Sequence, residues 1–452
     1  MAYEVSTASN FNDLFERIVS FLTTDPSLVS ANQHWDVLRM DRENLASITY
    51  TDGGEESLVS GFHSDGGIMF FDLDNSYQFE KELSLELKTP GKAEKLLLKS
   101  NVNASPHMVN DFDLLASNNN IDWENLLEIR DQTVYIDYEE RVFNIPNAEE
   151  YKYFKFIFRS SWSSSYFYFS KLQLIDENNT IINASRNEVQ LRGRGNDGSD
   201  KIFIGLQSIS DVNADSYNIK LTGYGAFDDN VISFLNHPQT IDSPPLIHCW
   251  NDAMPYWFAA SGRSFRMGVK VSTVIESAYL GLGLPYASPE QYPYPLVVAG
   301  SSTNESGRYS DAESSHAGIL TPYLNSSSST MHIWTPSGLV MACGQRGSDG
   351  ELDYFDFDNS SSNSLSVYPT CRSINQRGNN AGDFNFIRTI VLQRSPLKEV
   401  LMMLEGIYWV SGFGNTSENT VLNKDSGDVQ YVVLQDTFRT GLNDYWVIEL
   451  TP

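Results

Sequence analysis

The sequence is poor in cysteine, in basic residues and in long apolar runs. Its 452 residues include only Cys249, Cys343 and Cys371, which form no CxxC pair and are too few for a disulfide framework. Lysine and arginine number 31 against 58 acidic residues, and the formal charge is −27. Because nucleic acids and anionic membranes are bound by positive charge, we expect neither as a partner. No run reaches the length of a membrane span and no signal peptide is recognisable, so we expect folding in a reducing cytoplasm.

The sequence also lacks the local patterns that mark catalytic or metal sites. Its seven histidines never stand at HxH or HxxxH spacing, and no GxSxG motif surrounds a serine. His248 and Cys249 are neighbours on a predicted strand, so their side chains should point to opposite faces. Residues 356–359 (DFDN) lack the glycine and the distal glutamate of a calcium loop. We therefore predict no catalytic residue, no metal and no cofactor. An enzyme that depolymerises envelope glycans is the least favoured hypothesis, since no repeat of a β-helix is present.

Short strands separated by turns make up most of what the sequence does contain. Residues 82–87 alternate apolar and polar side chains, and residues 153–158 and 166–175 are dense in aromatic and aliphatic ones. Residues 192–200 carry closely spaced glycines, but no helix pattern follows them, so we predict a turn between strands there. The fold class that follows is mainly β, with several antiparallel β-sandwich or jelly-roll domains.

One amphipathic helix is predicted near the N-terminus, over residues 9–22. Ser9 or Asn10 is suited to cap it, and residues 24–26 (TDP) should end it. Its apolar residues recur at three- and four-residue spacing and are Phe11, Leu14, Phe15, Ile18, Val19 and Leu22. This stripe favours a helix that covers a sheet, with docking to a partner as the alternative.

We predict three parts along the chain. Residues 1–45 form an N-terminal helix and docking segment, residues 46–185 a β-sandwich, and residues 186–452 a second mainly β domain. A serine-rich stretch at 301–330, with little apolar content, is predicted to be a surface loop of the last part.

The densest aromatic and apolar stretch is residues 254–302. Residues 264–274 alternate with period two, which predicts a strand with one buried and one wet face. Prolines after residue 280 exclude a helix and favour an extended aromatic segment. We predict a contact between subunits through four tyrosines, namely Tyr279, Tyr286, Tyr292 and Tyr294. The other interpretation is that this stretch supplies core residues and loop anchors.

Two aromatic residues of the predicted sandwich are candidates for glycan contact. Trp162 lies in a polar turn and Tyr166 begins the next strand, so both rings are placed to stack on a sugar. The alternative interpretation is a turn anchor for Trp162 and a core position for Tyr166.

The region 55–180 resembles a galactose-binding-like, discoidin-type sandwich. The resemblance lies in the strand pattern YFKFIF at residues 153–158, followed by FSKLQL at residues 169–174. It implies an antiparallel sandwich domain over this region.

A second resemblance links both ends and the middle of the chain to one family. The segments that carry it are residues 14–38, 255–263, 269–284, 284–287, 291–296, 435–441 and 445–446. They are similar to virion structural proteins of contractile-tailed bacteriophages. The serine-rich stretch at 301–330 departs from that family.

The second resemblance implies a tail protein of the baseplate or tail-fibre attachment region, made in the host cytoplasm and incorporated in the virion. Such a protein is a scaffold that contacts other tail proteins and copies of itself in a symmetric assembly. The alternative function is a carbohydrate-binding tail adhesin that recognises host surface glycans through residues 46–185. In neither case do we expect an enzyme.

Overall fold

The structure, a computed structural model, is mainly β, which confirms the predicted fold class. It describes residues 1–50, 69–72, 78–100, 108–137, 139–161, 166–231, 234–285, 295–311, 318–319, 329–335, 338–344, 365–368, 386–393, 399–410, 421–423, 429–435 and 445–450. Within these residues the helices are α1 (Phe11–Thr24) and α2 (Pro26–Ser30).

The strands of the described residues are numbered in chain order. They are β1 (Ala2–Ala8), β2 (Asp36–Asp41), β3 (Leu45–Tyr50), β4 (Met69–Asp72), β5 (Gln78–Lys92), β6 (Lys95–Lys99), β7 (Val109–Ser117), β8 (Glu124–Ile129), β9 (Glu140–Asn144), β10 (Glu150–Ser161), β11 (Tyr166–Phe169), β12 (Lys171–Ile175), β13 (Glu188–Gly193), β14 (Ile202–Asp211), β15 (Ser216–Tyr224), β16 (Leu246–Cys249), β17 (Met254–Ala260), β18 (Ser264–Val271), β19 (Val274–Leu282), β20 (Leu284–Pro285), β21 (Leu296–Ala299), β22 (Met331–Thr335), β23 (Gly338–Gly344), β24 (Leu365–Tyr368), β25 (Ile387–Gln393), β26 (Glu399–Val410), β27 (Val421–Asn423), β28 (Gln430–Gln435) and β29 (Tyr445–Glu449).

The chain divides into two compact units. The first unit comprises residues 1–38, 189–228 and 237–452, and the second comprises residues 39–188 and 229–236. The second unit thus overlaps the sandwich predicted at 46–185. Residues 1–38 belong to the first unit, where helix α1 packs on strands far along the chain.

The first unit contains two sheets. The larger sheet has fourteen strands among the described residues, in the order β1-β17-β18-β19-β21-β22-β23-β24-β25-β26-β29-β28-β27, with β20 paired to β26. The smaller has the order β16-β15-β14-β13-β2. The predicted turn after β13 is confirmed, since Gly195 and Gly198 have φ values of 71° and 84° that favour glycine. Of the predicted serine-rich loop, the structure describes residues 301–311, 318–319 and 329–330.

Helix α1 confirms the predicted cap, end and buried stripe. The Asn10 side chain accepts a hydrogen bond from the Asp13 backbone N–H at 2.9 Å, and Asp25 is the N-cap of α2 directly after α1. All six predicted apolar residues are buried, and so is Phe21. The Phe21 ring lies 5.7 Å from that of Phe258 in β17. The helix therefore covers strands of the first unit.

Strand β18 is buried on both faces, which corrects the expectation of one wet face. Phe265 contacts Phe21 of α1, with ring centroids 6.4 Å apart. On the other face, Arg266 is fully buried and donates to the backbone carbonyl of Glu405 at 2.9 Å. The period-two pattern indicates the strand, but Arg266 lies in the interior because its guanidinium finds a carbonyl partner there.

The second unit is a sandwich around one apolar core. Its sheets have the orders β3-β5-β10-β7-β8, β12-β6-β9 and β11-β4. Phe154, Phe156 and Phe158 of β10 point inward and pack with residues of the facing strands such as Leu98 and Leu172. Because side chains alternate along a strand, the intervening residues of β10 face outward. The five-stranded sheet therefore presents a second, outer face.

Candidate functional site

The structure places the predicted subunit-contact residues differently from the expectation. Tyr279 is fully buried in β19, where its hydroxyl donates to the Leu282 carbonyl at 2.7 Å and accepts from the Glu405 N–H at 3.2 Å. Tyr279 is thus a core residue, and the prediction of a surface contact is wrong for it because neighbouring strands cover its ring. The other predicted contact residues, Tyr286, Tyr292 and Tyr294, lie outside the described residues.

The two predicted glycan-contact residues belong to the second unit. Tyr166 begins β11, opposite Asp72 of β4, and its backbone alone is described. Trp162 lies outside the described residues, and so do residues 356–359. Neither glycan prediction is tested by the side-chain geometry.

In the second unit, the outer face of the five-stranded sheet β3-β5-β10-β7-β8 carries aromatic and charged side chains that the sequence predictions did not include. We call it the β10 face and define it by Tyr153, Lys155 and Arg159 of β10, Glu82 and Glu86 of β5, Asp113 of β7, and Trp123 just before β8. The pairing of β10 with β5 on one side and β7 on the other holds these residues in register. The face is partly exposed, with Tyr153, Lys155 and Trp123 all half-buried.

Each aromatic ring of the β10 face has a lysine beside it. The Lys155 Nζ lies 4.5 Å from the centroid of the Trp123 ring and 3.2 Å from a carboxylate oxygen of Glu82. The Lys152 Nζ lies 5.3 Å from the centroid of the Tyr153 ring. These distances are within the range of cation–π attraction, which holds the rings and the lysines in place.

Glu86 is the acceptor at one end of the β10 face. It pairs with Lys152 at 2.9 Å and accepts hydrogen bonds from the Tyr153 hydroxyl at 3.4 Å and the Ser47 hydroxyl at 3.2 Å. The hydrogen bond from Lys152 lowers the pKa of Glu86, and the same bond raises the pKa of Lys152. At neutral pH this carboxylate therefore accepts hydrogen bonds and does not act as a proton donor.

Asp113 joins two arginines at the other end of the β10 face. Its carboxylate is 2.6 Å from Arg159 and 2.5 Å from Arg130, and the residue is only 5% exposed. The hydrogen bond to Asp113 raises the pKa of Arg159. The side chains of Arg159 and Arg130 are each 37% exposed, so both cations are partly accessible to solvent.

The alternation of polar or aromatic residues with phenylalanines in residues 150–161 (EYKYFKFIFRSS) indicated that one side of this strand faces outward. Every second residue from Tyr153 to Arg159 lies outward, and the residues between them are phenylalanines of the core. The partners on β5, β7 and before β8 were not identifiable, because strand pairing over about 30 to 80 residues has no local sequence mark.

The histidine, cysteine and acidic side chains of the described residues can be compared with the predictions about catalytic and metal sites. Within the described ranges, no group of three or more His, Cys, Asp or Glu residues is placed to hold a metal ion. His248 and Cys249 are both buried, and their side chains leave opposite faces of β16, as predicted. His248 Nδ1 lies 2.6 Å from Asn218 Oδ1, while burial raises the pKa of the Cys249 thiol well above its usual range. Of the two helices described, neither is long and apolar enough to cross a membrane.

No protein-family model matches the sequence, and no curated protein matches it significantly. Solved structures do match over part of the chain. One is a family 32 carbohydrate-binding module from a family 31 glycoside hydrolase of Clostridium perfringens, with 11% identity, a TM-score of 0.25, and coverage of 28% of this chain and 88% of the module. Another is the family 32 module of C. perfringens NanJ in complex with galactose, with 10% identity, a TM-score of 0.24, and coverage of 30% and 96%.

A third match is the family 32 module of Streptococcus pneumoniae EndoD, with 12% identity, a TM-score of 0.23, and coverage of 29% and 94%. These comparisons show a weak structural resemblance to galactose-binding-like sandwiches over about 30% of the chain. At such TM-scores and identities they assign no ligand to this protein. None of these three matches is a virion protein.

Proposed function

We propose that the chain is a non-enzymatic binding protein whose second unit recognises carbohydrate through the β10 face. The observation that carries this proposal is the pair of half-exposed rings, Trp123 and Tyr153, each beside a lysine and within one sheet face. Aromatic rings stack on the C–H face of a pyranose, while carboxylates and ammonium groups around them bind its hydroxyls.

The donors and acceptors of the β10 face suit a ligand rich in hydroxyl groups. Glu86 and Glu82 are acceptors, and Lys152, Lys155 and the partly exposed Arg159 and Arg130 are donors. A hydroxyl both donates and accepts, so it can bridge a lysine and its paired carboxylate without leaving either unpaired.

The charge balance of the β10 face favours a neutral sugar over a polyanionic one. Its cations Lys155 and Arg159, and the adjoining Lys152 and Arg130, each pair with at least one carboxylate. The chain as a whole carries a charge of −27, which repels a polyanion at low ionic strength. We therefore propose a neutral hexose or hexosamine glycan as the ligand class.

Replacing Trp123 by alanine is expected to weaken glycan binding by about tenfold or more, close to 1.4 kcal/mol. The reason is that the variant loses the stacking surface and frees Lys155 from its ring. The full-length chain is first screened on an array of neutral and acidic glycans, and the affinity for the best ligand is then measured by calorimetry. Tyr153→Ala should act in the same direction.

Val142→Ala is the matched control for these variants. Val142 is 54% exposed on β9, which belongs to the other main sheet of the second unit, so its truncation should leave binding unchanged. Circular dichroism verifies the fold of each variant. If no glycan binds, or if Trp123→Ala binds as well as the wild type, the β10 face is not a carbohydrate site.

A second candidate function rests on which sequence segments make up the first unit. The segments similar to contractile-tail virion proteins at 14–38, 255–263, 269–284 and 445–446 are far apart in sequence but belong to the first unit. Residues 39–188 interrupt that unit in the chain. We propose a tail scaffold, baseplate or fibre-attachment protein, with the carbohydrate-binding unit inserted in it and directed at host surface glycans.

The scaffold proposal predicts that this chain is a structural component of tailed virions. Quantitative mass spectrometry of purified particles should find it at a fixed ratio to the other tail proteins, both before and after a high-salt wash. Absence from the particles, or removal by the wash, contradicts the scaffold proposal and leaves the glycan proposal to its own test.

A further inference from the structure

The free edge of the larger sheet offers a surface that the proposed functions leave unused. Among the strands that the structure describes, β1 pairs only with β17, in a continuous register from Ala2–Ala260 to Ala8–Met254. Seven residues of strand span about 23 Å. No other strand of the described residues pairs with the side of β1 that faces away from β17, so within that part of the chain its backbone N–H and C=O groups are available along this length.

Strand β1 lacks the features that usually keep sheet edges from pairing. It contains no proline and no lysine, and its register with β17 shows no bulge. Its single charged side chain, Glu4, accepts a hydrogen bond from the hydroxyl of Tyr256. Tyr3 and Val5 are 45% and 52% exposed, and the small polar Ser6 and Thr7 are exposed as well, so the accessible side chains of β1 are apolar or small and uncharged.

The exposed residues of β1 extend a buried core to the edge of the sheet. Val5 lies opposite Trp257 and Tyr3 opposite Ala259, and both of these partners belong to one buried apolar cluster of the first unit. A strand added beside β1 would bury Tyr3 and Val5 and continue that core. The apolar surface at this edge is therefore only partly buried, and an added strand would bury the rest.

We propose that β1 joins the β1 of a second copy of this chain, antiparallel about a twofold axis at Val5, so that the two larger sheets become continuous. In this register Val5 faces Val5 of the second copy and Tyr3 faces Thr7. Glu4 faces Ser6, and no two carboxylates stand opposite each other. Apolar β-branched and aromatic cross-strand pairs stabilise such a ladder, whereas facing like charges would oppose it.

The occupant is a second copy because the edge is complementary to itself in this register. The same seven residues supply both halves of each pair, as a closed twofold interface requires. The charge of −27 on each copy opposes association, and salt screens that repulsion. The dimer is therefore strengthened by raising the ionic strength, which distinguishes it from an association held by ion pairs.

Sedimentation equilibrium of the full-length chain tests the proposal with two variants of equal charge. Val5→Lys places two ammonium groups opposite each other on the axis and should weaken the dimer by about a hundredfold or more. Ser6→Lys instead places an ammonium opposite Glu4 of the second copy and should keep or strengthen the dimer. A wild-type chain that stays monomeric at about 0.5 M salt, or equal weakening by both variants, overturns the proposal.

Cross-linking tests the register directly. Facing Cα atoms in an antiparallel pair are about 5 Å apart, which suits a disulfide, so Val5→Cys should cross-link two copies under mild oxidation. Tyr3→Cys alone should not, because the two Tyr3 positions are about 14 Å apart, while a mixture of Tyr3→Cys and Thr7→Cys chains should. Mass spectrometry of the linked peptides identifies the bonds. Cross-links from Tyr3→Cys alone, or none from Val5→Cys, contradict the register and the proposal.

Discussion

Gly281→Ala is expected to destabilise the first unit by about 4 kcal/mol or more, which is at the upper end for a single substitution. Gly281 lies within β19 at φ 125°, a conformation that a residue with a Cβ rarely adopts. An alanine Cβ there would also lie 2.6 Å from the Cα of Ser264 and closer still to the carbonyl oxygen of Arg263. Both neighbours are backbone atoms, so neither can move aside without shifting β18.

Gly198→Ala is the matched control, because it has the backbone strain without the collision. Gly198 has a φ of 84°, but the atom nearest to the position of an alanine Cβ is the flexible Asn32 Nδ2, at 3.2 Å. We expect a cost of about 1 kcal/mol for this variant. Urea unfolding of both variants measures the difference. Equal losses would mean that conformation alone determines the requirement for glycine at position 281.

Acidification is expected to weaken the first unit through His332, by about 3 kcal/mol in total. His332 is 3% exposed in β22, and burial lowers its pKa from 6.5 to about 4. The unfolded chain therefore binds a proton near pH 6.5 that the folded chain does not bind until about pH 4. Stability from the neutral imidazole is complete above pH 6.5 and is lost progressively as the pH falls from 6.5 to about 4.

His332→Gln removes this titration while keeping a polar side chain of similar length. Urea unfolding at pH values between about 4 and 7.5 should show a shallower decline for the variant than for the wild type. All carboxylates and the other histidines remain in both proteins, so the difference between the two stability curves gives the contribution of His332. Parallel curves throughout this window would show that His332 titrates alike in the folded and unfolded chains.

The N-terminal helix illustrates what a local pattern predicts reliably. Asn10, the apolar stripe and Pro26 all act within a few residues of the helix, so its start, its buried side and its end could be read from the sequence. The strands β5 and β10 were predictable for the same reason, since alternation and dense β-branched or aromatic residues are also local.

The candidate site was less accessible to sequence reasoning. Trp123 and Glu86 meet β10 across chain separations that carry no local signal, so only pairing in the sheet showed that their side chains share a face. The aromatic content of residues 254–302 led to the prediction of a contact between subunits, but aromatic residues fill cores and interfaces for the same energetic reason. Burial of Tyr279 could be settled only by knowing which strands lie beside β19.

The sequence by itself determined the class of elements, their approximate bounds and the acidic character of the chain, because these depend on residues close together or on composition. The tertiary structure decided how the elements combine. It joined residues 1–38 to the first unit through the pairing of β1 with β17, placed Arg266 and Tyr279 in the interior, and left Tyr3 and Val5 at an open edge. The physical reason is that strands gain their hydrogen bonds and buried faces from partners that any stretch of the chain can supply.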